Sequence, residues 1–538
     1  MTATIAGLLA AAEPVESRDL DTLVDRLRAL DPGVRLIEAN GKSAEPATVR
    51  GVTNDSRAAA PGSLFVAVPG LHTDGHSFVR RAIDAGARAV IVERPLDGLE
   101  VPQVVVGSAR RALAEAAAWW YRDPSREIGV IGITGTDGKT TTSFLAAAAL
   151  AAAGHRPGLV GTVATQIGGV REANAEHSTT PEAPQLQAAL RAMVTAGDTA
   201  AIIETTSHGL ALDRVAAIAY DIALFTNLSH EHLDLHGTFE AYRAAKRSLF
   251  DRLAVGPDTQ AKDAIAWPRT GIVNADDAAG TIFEASTLAA GANLLTFGLR
   301  STADVRLLDA IDEGRGLVVR YLVGGTAQTL RLRLAGRFNA YNALGVVALG
   351  LALDLDDADV RTGLEAAATV PGRMERIDRG QPFGVVVDYA HSPASLGLLL
   401  DELAPTAAAG GGGLIAVFGS AGERDREKRP MMGRVAAQRA RIVIVTDEDP
   451  RAEDPGAILA EIAAGAREAT TSAGPEAVLE IPDRRLAIRE ALALAKPGDI
   501  VLLAGKGHES TILYADRAEP WNERAEAEAA LAELGWGA

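Results

Sequence analysis

The chain has 538 residues, 47% of them hydrophobic and 23% charged, and this length exceeds what a single hydrophobic core usually serves. Its formal net charge of −17 argues against nucleic acid as a partner, because a phosphate backbone needs a basic surface. The absence of cysteine excludes disulfides and thiolate metal sites, and no apolar run is long enough for a membrane span. We therefore expect a multidomain cytoplasmic protein without membrane insertion.

Apolar, β-rich runs alternate with helical stretches along the chain. The strand candidates are Ala89–Glu93, Ile128–Ile133, Ala201–Glu204, Ile222–Phe225, Val385–Asp388, Leu414–Phe418, Arg441–Thr446 and Ile500–Ala504. Continuous apolar strands separated by helices predict parallel sheets buried on both faces, and hence an α/β fold. The run Ala407–Gly413, AAAGGGG, predicts a flexible loop.

Three domains are predicted along the chain. The first covers residues 1–107 and ends before a helical stretch at Ala109–Tyr121. The second, residues 108–369, contains a glycine-rich segment, and the third covers residues 370–538.

The glycine-rich segment is Gly132–Thr142, GITGTDGKTTT, between a predicted strand and a helix predicted over Ser143–Ala153. Glycines let backbone N–H groups approach phosphate, and a helix N-terminus favours negative charge. Lys139 would then neutralise the terminal phosphates of a nucleotide, and the Thr140 hydroxyl would bind magnesium. A structural turn is the weaker interpretation, because Gly-Lys-Thr follows an apolar strand.

Three further features each allow more than one interpretation by themselves. Glu204 ends a strand, where a carboxylate can meet magnesium or simply be solvated. His230, His232 and His236 invite a zinc interpretation, but neither H-E-x-x-H nor cysteine is present, so we favour one functional imidazole. On composition alone, Lys246 is an ordinary lysine on a helix surface.

Taken in order, these motifs resemble those of the Mur ligase family. Matching segments extend over nearly the whole chain and are Asn54–Ala67, Gly70–Gly75, Ser178–Pro181, Asn274–Asp277, Leu334–Asn342, Pro371–Glu375, Val387–Pro393, Phe418–Asp425, Asp449–Arg451 and Ala504–Glu509. The resemblance implies a central P-loop ATPase-like domain with a parallel sheet. An N-terminal uridine-nucleotide-binding α/β domain and a C-terminal Rossmann-like α/β domain would flank it. The best match is to members that add the third, diamino residue of the peptidoglycan stem peptide.

The resemblance also implies a reaction. ATP phosphorylates a substrate carboxylate, and an incoming amine displaces phosphate from the acyl phosphate. The catalytic residues implied are Lys139, Glu204, His232 and Lys246. Magnesium would be held by Thr140, Glu204, His232 and Lys246, with Lys246 modified by CO2 to a carbamate (N6-carboxylysine). Carbamylation converts the lysine cation into an anion that can bind a metal. The resemblance therefore implies a functional lysine in place of an ordinary surface one.

The ATP site implied by the family is divided between domains, so closure is expected near residues 368–372. Its residues are Gly135, Thr136, Asp137, Gly138, Lys139, Thr140, Thr141, Asn274, Asn339, Asn342, Arg373, Asp388 and His391. Asp137 stands where the family commonly has asparagine, and an acidic residue there is unfavourable unless its charge is offset.

Two more substrates are implied. The UDP-MurNAc-dipeptide is expected to contact Ser56, Thr179, Thr180, Thr206 and Arg214, whereas Leu212 replaces a polar contact of some relatives. The amino acid is expected to contact Arg424, Asp449, Arg451, Gly505 and Glu509.

The identity of the amino acid depends on charge. Asp449 stands where relatives that use meso-diaminopimelate have asparagine, and its charge favours the plain ammonium of L-lysine or L-ornithine. Arg424 and Arg451 favour a distal carboxylate instead, so meso-diaminopimelate stays an alternative.

Three other functions account for fewer motifs. A P-loop kinase or GTPase explains only the glycine-rich segment, and a folylpolyglutamate synthase-like ligase has no need of the Asn54–Gly75 region. A regulatory paralogue without activity is disfavoured because Lys139, Glu204, His232 and Lys246 are all present. We expect a monomer.

Overall fold

The computed structural model of the protein describes residues 3–39, 47–70, 73–174, 178–229, 233–254, 265, 267–312, 316–367, 370–469 and 475–537. The chain forms two compact units. The first is Met1–Arg306 with Leu344–Gly363, and the second is Leu307–Ala343 with Leu364–Ala538. In the described part of the chain, no helix is long and apolar enough to cross a membrane.

The first unit begins with a small α/β layer. Its elements are α1 (Ile5–Ala12), β1 (Arg18–Asp19), α2 (Leu20–Leu30), β2 (Arg35–Ile37), β3 (Thr48–Val49), β4 (Val52–Thr53), β5 (Leu64–Val66), α3 (Val79–Asp84), β6 (Ala89–Val92), β7 (Gln103–Val105) and α4 (Ala109–Trp120). The sheet order is β2-β7-β6-β5-β4, with only β2 antiparallel to its neighbour. Leu64 and Val66 face a core shared with α4, whereas Phe65 faces a second core. This alternation buries both faces of the sheet.

A larger sheet, parallel in its centre, begins in the same unit. Its elements are β8 (Gly129–Thr134), α5 (Lys139–Ala152), β9 (Pro157–Val160), β10 (Ala164–Ile167), β11 (Val170–Ala173), α6 (Ala183–Ala196), β12 (Ala200–Glu204), α7 (Ser207–Ala211), β13 (Ile222–Phe225), α8 (Leu233–His236), α9 (Phe239–Asp251), β14 (Thr270–Asn274), α10 (Gly280–Ala289), β15 (Asn293–Gly298) and β16 (Val305–Asp312). The order is β11-β10-β9-β12-β8-β13-β14-β15-β16, followed by β17 (Leu317–Val323) and β18 (Thr326–Leu332). Strand β10 is antiparallel to both β9 and β11, and β17 is antiparallel to β18. Strand β8 lies between β12 and β13 and is parallel to both, so the ends of three strands meet where the glycine-rich loop begins.

The rest of the chain contains a hairpin and a six-stranded sheet; within it, Leu344–Gly363 belongs to the first unit and the remainder to the second. The elements from β17 onward are β17 (Leu317–Val323), β18 (Thr326–Leu332), α11 (Phe338–Ala352), α12 (Asp357–Ala366), β19 (Glu375–Ile377), β20 (Gly384–Asp388), α13 (Pro393–Ala409), β21 (Leu414–Phe418), α14 (Lys428–Ala437), β22 (Ile442–Val445), α15 (Pro455–Glu468), β23 (Ala477–Glu480), α16 (Arg484–Leu494), β24 (Ile500–Ala504), β25 (Thr511–Leu513), β26 (Ala518–Pro520) and α17 (Glu523–Glu533). The sheet order is β19-β20-β24-β21-β22-β23, parallel except at β19. Val385 and Val387 face one core, and Val386 faces the other.

The predicted α/β class is confirmed, and all eight predicted strands are present within about one residue at either end. Two details of the sequence prediction are wrong. The Ala407–Gly413 run is not all loop, because helix α13 continues through Ala409 and ends at Gly410. Helix α5 begins at Lys139 rather than Ser143, because Gly138 takes a left-handed conformation and caps the helix directly.

Candidate active site

The loop between β8 and α5 depends on two glycines. Gly135 has φ +152°, and a Cβ there would lie only 1.9 Å from Thr226 Oγ1. Gly138 has φ +83° and caps α5, a conformation that side chains other than glycine rarely adopt. The loop therefore turns sharply and presents the N-terminus of a 14-residue helix, where an anion is stabilised.

Two lysines contact this loop from different elements. Lys139 Nζ, in the first turn of α5, donates to the carbonyl oxygens of Gly135 at 2.9 Å and Thr136 at 2.7 Å. Lys246 Nζ, on α9, donates to the same Gly135 oxygen at 2.7 Å. Lys246 is 2% exposed, and its Nζ lies 4.6 Å from the ring centroid of Tyr242. The structure thus contradicts the surface-lysine interpretation and brings two predicted catalytic cations together.

Glu204 is the acidic centre of the site. It ends β12 beside Ile133 of β8 and is fully buried. The hydroxyls of Thr140 and Thr162 donate to its Oε2 at 2.9 and 2.8 Å, and the Thr162 backbone N–H donates to its Oε1 at 3.1 Å. Thr140 and Glu204, both predicted as magnesium ligands, therefore lie in contact. Hard oxygen donors of this kind are what Mg²⁺ prefers.

Sequence reasoning missed Thr162. It follows the end of β9, next to β12 in the sheet, but nothing local in its sequence separates it from other threonines. Its hydroxyl also shares a hydrogen bond with Thr179 at 3.0 Å, which links the magnesium-type ligands to the predicted substrate residues.

The predicted substrate residues of the first unit form one polar network, apart from Ser56. Thr180 Oγ1 donates to the Glu204 carbonyl at 2.7 Å and shares a hydrogen bond with Thr206 at 3.0 Å. Arg214 Nη1 donates to the Thr180 carbonyl at 2.8 Å. Ser56 lies after β4 in the small sheet, and the described hydrogen bonds do not connect it to this network.

The far side of the loop is fixed by residues after β13. The Asp137 backbone donates to Asn227 Oδ1 at 3.0 Å and accepts from Thr226 Oγ1 at 2.6 Å. Thr136 Oγ1 shares a hydrogen bond of 3.0 Å with the hydroxyl of Tyr242. Asp137 itself is exposed, so water screens its charge, whereas Thr141 on α5 is buried. Asn227 is a second residue that sequence reasoning missed.

The predicted adenine-side amides are buried and hydrogen-bonded. Asn274 Nδ2 donates to the Thr226 carbonyl at 2.8 Å, which ties β14 to β13. In the second unit, Asn342 Nδ2 donates to Asn339 Oδ1 at 2.8 Å. His232 and His230 lie outside the described residues.

Three other predicted nucleotide residues are in the second unit. Both oxygens of Asp388 accept backbone N–H groups at 2.8 Å, from Met374 and Ala390. Arg373 lies over the ring of Tyr389, with its Cζ 4.8 Å from the centroid, and His391 Nδ1 lies 3.0 Å from the Tyr389 carbonyl. Backbone groups thus hold Asp388 and His391 beside Tyr389, whereas Arg373 contacts the Tyr389 ring with its guanidinium.

A second charged site, the Lys506 cluster, consists of Lys506, Asp449, Glu509 and Glu448. Lys506 is fully buried, and its Nζ donates to Asp449 Oδ1 at 2.8 Å and to Glu509 Oε2. Burial opposes the charge of Lys506, yet Glu509 and Asp449 together raise its pKa. Burial also raises the pKa of Glu509, with Lys506 opposing this and Asp449 and Glu448 adding to it. Lys506 and Glu448 were not predicted.

The other residues predicted to contact the amino-acid substrate, and Glu448 beside them, lie in different surroundings. Glu448 is 7% exposed, and its Oε2 has no hydrogen-bond partner among the described residues. Gly505 lies beside it, since a Cβ there would be 3.4 Å from Glu448 Oε2. Arg451 has φ +56°, and its Nε is buried without a hydrogen-bond partner in the described part of the chain. Arg424 is exposed.

Known proteins resemble the chain over most of its length. Residues 48–121 match the Mur ligase family catalytic domain, residues 133–350 the Mur ligase middle domain, and residues 372–507 the Mur ligase glutamate ligase domain. These matches support three domains, while the boundaries at 107 and 369 stay predictions.

Individual proteins are also similar to this chain over most of their length. A UDP-N-acetylmuramyl-tripeptide synthetase of Roseiflexus sp. (strain RS-1) is 48% identical over 91% of this chain and 96% of its own length. The protein of the same name from Deinococcus radiodurans is 42% identical over 90% and 95%. A UDP-N-acetylmuramoyl-L-alanyl-D-glutamate–2,6-diaminopimelate ligase of Geobacillus thermodenitrificans is 38% identical over 89% and 94%.

A solved structure of a UDP-N-acetylmuramoyl-L-alanyl-D-glutamate–2,6-diaminopimelate ligase covers 97% of this chain and 100% of its own, with a TM-score of 0.64 and 29% identity. The glycine loop, its two lysines and the buried carboxylate lie within the matched middle domain. The chain therefore belongs to the Mur ligase family and is an ATP-dependent, peptide-bond-forming ligase of peptidoglycan synthesis.

Proposed function

We propose that this ligase adds a basic diamino acid, L-lysine or L-ornithine, to UDP-N-acetylmuramoyl-L-alanyl-D-glutamate in the cytoplasm. The observation that carries the choice of amino acid is the excess of carboxylates in the Lys506 cluster. The carboxylates of Asp449, which is buried, and Glu509, which is half-buried, contact the one ammonium directly, and the buried Glu448 adds a third negative charge beside Glu509. An incoming ammonium supplies the missing positive charge.

The chemistry starts with transfer of the γ-phosphoryl group of ATP to the glutamate carboxylate of the nucleotide substrate, which releases ADP. The amine of the diamino acid then attacks the carbonyl carbon, the C–O bond of the acyl phosphate breaks, and phosphate leaves. Lys139, and Lys246 in its unmodified form, place positive charge at the loop where the terminal phosphates would lie. Arg214 and the threonine network are placed to orient the muramoyl-dipeptide.

The donor set of the first unit suits magnesium. Thr140 and Glu204 are the described residues that would hold it, and when bound it would neutralise charge on the phosphate oxygens. The parts assigned to His232, Arg373, Asp388 and His391 remain predictions from the family resemblance.

Carbamylation of Lys246 is compatible with its surroundings. A carbamate nitrogen keeps one N–H, so the hydrogen bond to the Gly135 carbonyl can persist while the new carboxylate becomes an acceptor. The modification would also remove one of two like charges beside the same oxygen, and it would add an anionic ligand for magnesium.

The preference for one amino-acid substrate depends on which charged groups in and near the Lys506 cluster already have ion-pair partners. Arg484, a fully buried cation whose pKa Glu523, Glu448 and Glu509 raise against the effect of burial, forms an ion pair of 2.6 Å with Glu523 and donates to backbone carbonyls. The carboxylate of Glu448 therefore gains no direct hydrogen bond from it. Because Lys506 is shared between Asp449 and Glu509, the cluster keeps a net negative charge. A distal carboxylate on the amino acid would add to that excess.

The second candidate is meso-diaminopimelate. The buried Nε of Arg451 favours it, because a guanidinium in that state can bind a distal carboxylate in a bidentate manner. Several relatives also carry diaminopimelate in their names. The two candidates differ only in whether the distal carboxylate is accepted.

The test is phosphate release by the purified chain with UDP-N-acetylmuramoyl-L-alanyl-D-glutamate, ATP, magnesium and one amino acid at a time. We expect release with L-lysine or L-ornithine and none with L-norleucine, which lacks the distal ammonium. Absence of amino-acid-dependent release with every diamino acid would sink the proposed reaction. Release with meso-diaminopimelate alone would assign the second candidate.

A further inference from the structure

Arg429, at the start of α14, is fully buried and lies between two loops of the second unit. The β21 loop, residues 419–427, follows strand β21 and carries Arg424. The β22 loop, residues 446–454, follows strand β22 and carries Asp449–Arg451. The two loops thus hold three of the residues predicted to contact the amino acid, while Arg429 itself has no function assigned so far.

The guanidinium of Arg429 contacts both loops. Its Nη1 donates to Glu453 Oε2 at 3.0 Å and its Nη2 donates to Glu453 Oε1 at 3.1 Å, so it binds the β22 loop in a bidentate manner. The same Nη2 donates to the Ala421 carbonyl oxygen of the β21 loop at 3.3 Å. Nη1 also donates to Glu461 Oε2, on α15, at 2.9 Å. One buried cation therefore joins both loops to the helix that follows the second.

The two loops also contact each other close to Arg424. The Gly422 N–H donates to the Asp449 carbonyl oxygen at 2.8 Å. A Cβ on Gly422 would lie 1.9 Å from the Pro450 carbonyl oxygen, so only glycine lets the two backbones approach this closely. The position of Arg424 relative to Asp449 consequently depends on how the two loops are held together.

Glu453 connects this contact to Arg429. Its Oε1 accepts from the Glu423 N–H, one residue before Arg424, as well as from Arg429. The hydrogen bonds from Arg429 and from the Glu423 N–H lower the pKa of Glu453, so its carboxylate stays ionised at neutral pH. Because both oxygens of this carboxylate are held, the guanidinium fixes the backbone next to Arg424.

The packing of α14 on α15 has contacts of its own and does not depend on Arg429 alone. A Cβ on Gly433 would lie 2.0 Å from the Ile462 carbonyl oxygen, and one on Gly465 would lie 2.1 Å from the Pro430 carbonyl oxygen. Two glycines thus bring the helix backbones into contact. The guanidinium of Arg429 is an addition at the end of the helix pair where the two loops lie.

We propose that Arg429 is a positioning residue for the amino-acid substrate, because it holds Arg424 at a fixed distance from Asp449–Arg451. The inference rests on the proposed function, which takes an amino acid as the substrate bound by these residues. A guanidinium suits this task, since its planar fork binds several acceptors in fixed directions and an ammonium does not. Being fully buried, Arg429 acts through Glu453 and the backbone of the β21 loop.

The first test is hydrogen–deuterium exchange of the full chain without any substrate, so it is independent of ligase activity. Arg429→Lys keeps the buried charge but removes the fork. We expect the amides of Gly422 and Glu423 to exchange at least about tenfold faster, the factor expected for loss of a charge-assisted hydrogen bond, and strand β24 to exchange as before. Arg434→Lys is the matched control and should change neither, because its ion pair with Glu468 joins the same two helices through exposed side chains.

The second test is kinetic. With the amino acid that the unmodified chain uses, Arg429→Lys should raise the KM for that amino acid at least about tenfold and leave the KM values for ATP and the muramoyl substrate unchanged. Glu453→Gln should act in the same direction in both tests, because it breaks the ion pair yet keeps an oxygen that accepts the Glu423 N–H. This variant decides the matter if Arg429→Lys does not fold.

Two results would overturn the inference. One is unchanged exchange of Gly422 and Glu423 in the variants, and the other is an equal rise of all three KM values, which a merely structural function of Arg429 would produce. Absence of turnover with every amino acid in the unmodified chain would instead mark a failure of the proposed function. The exchange measurement then still decides whether Arg429 holds the two loops together.

Discussion

Lys139 and Lys246 donate hydrogen bonds to the same carbonyl oxygen, that of Gly135, at 2.9 and 2.7 Å. Two cations held at one acceptor repel each other, and one of them is almost fully buried. An anion bound at the loop would relieve this repulsion. The arrangement therefore favours the phosphate groups of a nucleotide and accounts for the position of a lysine on α9, far from the loop in sequence.

Replacement of Lys246 should stop the reaction. Lys246→Ala removes a buried charged donor from a preorganised site, and we expect turnover to fall by at least about a hundredfold. Arg247→Ala is the matched control, because Arg247 is the next residue of α9 and its ion pair with Asp251 is half-exposed. Phosphate release measures both. Full activity of Lys246→Ala would show that this lysine is not needed for the reaction.

Thr162 should affect the magnesium requirement. Thr162→Val keeps the size of the side chain but removes the hydroxyl that donates to Glu204 Oε2. The carboxylate loses an orienting partner, so the magnesium concentration for half-maximal rate should rise about tenfold. Thr162→Ser retains a hydroxyl and should behave like the unmodified chain. An unchanged magnesium dependence in the valine variant would show that this contact does not position Glu204.

Asp137 should be of little importance for nucleotide binding. Its backbone holds the loop through Thr226 and Asn227, and its exposed carboxylate is screened by water. We expect Asp137→Asn to keep ATP affinity or to improve it about twofold, because one negative charge near the phosphates is removed. Calorimetric titration with ATP tests this. A large loss of affinity would assign the carboxylate a function of its own.

Asp447 should make stability depend on pH in a defined direction. Its pKa is raised to about 6 by burial, so the folded chain binds a proton between about pH 6 and pH 4 that the unfolded chain does not. This contribution to the free energy of unfolding is present at low pH and is lost as pH rises through 6. Asp447→Asn removes the penalty while leaving an oxygen that can accept from Tyr514.

The variant should therefore be more stable than the unmodified chain at pH 7.5, by about 1–2 kcal/mol after allowance for screening, and equally stable near pH 4. Urea unfolding at both pH values, in the absence of amines, measures the difference. A constant difference across this range would contradict the assignment. Asp516→Asn serves as the exposed control and should show no such trend.

The sequence predicted the parallel strands well, because strands buried on both faces are continuous apolar runs, as in Ile500–Ala504. It also predicted Thr140 and Glu204 as magnesium ligands, and the structure brings the two side chains into contact. It could not predict Lys506, whose role depends on Asp449 and Glu509 converging on a buried ammonium. The same holds for Thr162, because its contact with Glu204 is set by the pairing of β9 with β12.

The most direct measurement of the central claim is a competition in one reaction. The purified chain receives UDP-N-acetylmuramoyl-L-alanyl-D-glutamate, ATP and magnesium with equal concentrations of L-lysine, L-ornithine and meso-diaminopimelate, and mass spectrometry identifies the tripeptide products. We predict that the lysine or ornithine product predominates and that Asp449→Asn shifts the ratio toward meso-diaminopimelate, because the cluster then loses a negative charge. A dominant meso-diaminopimelate product from the unmodified chain would contradict the account.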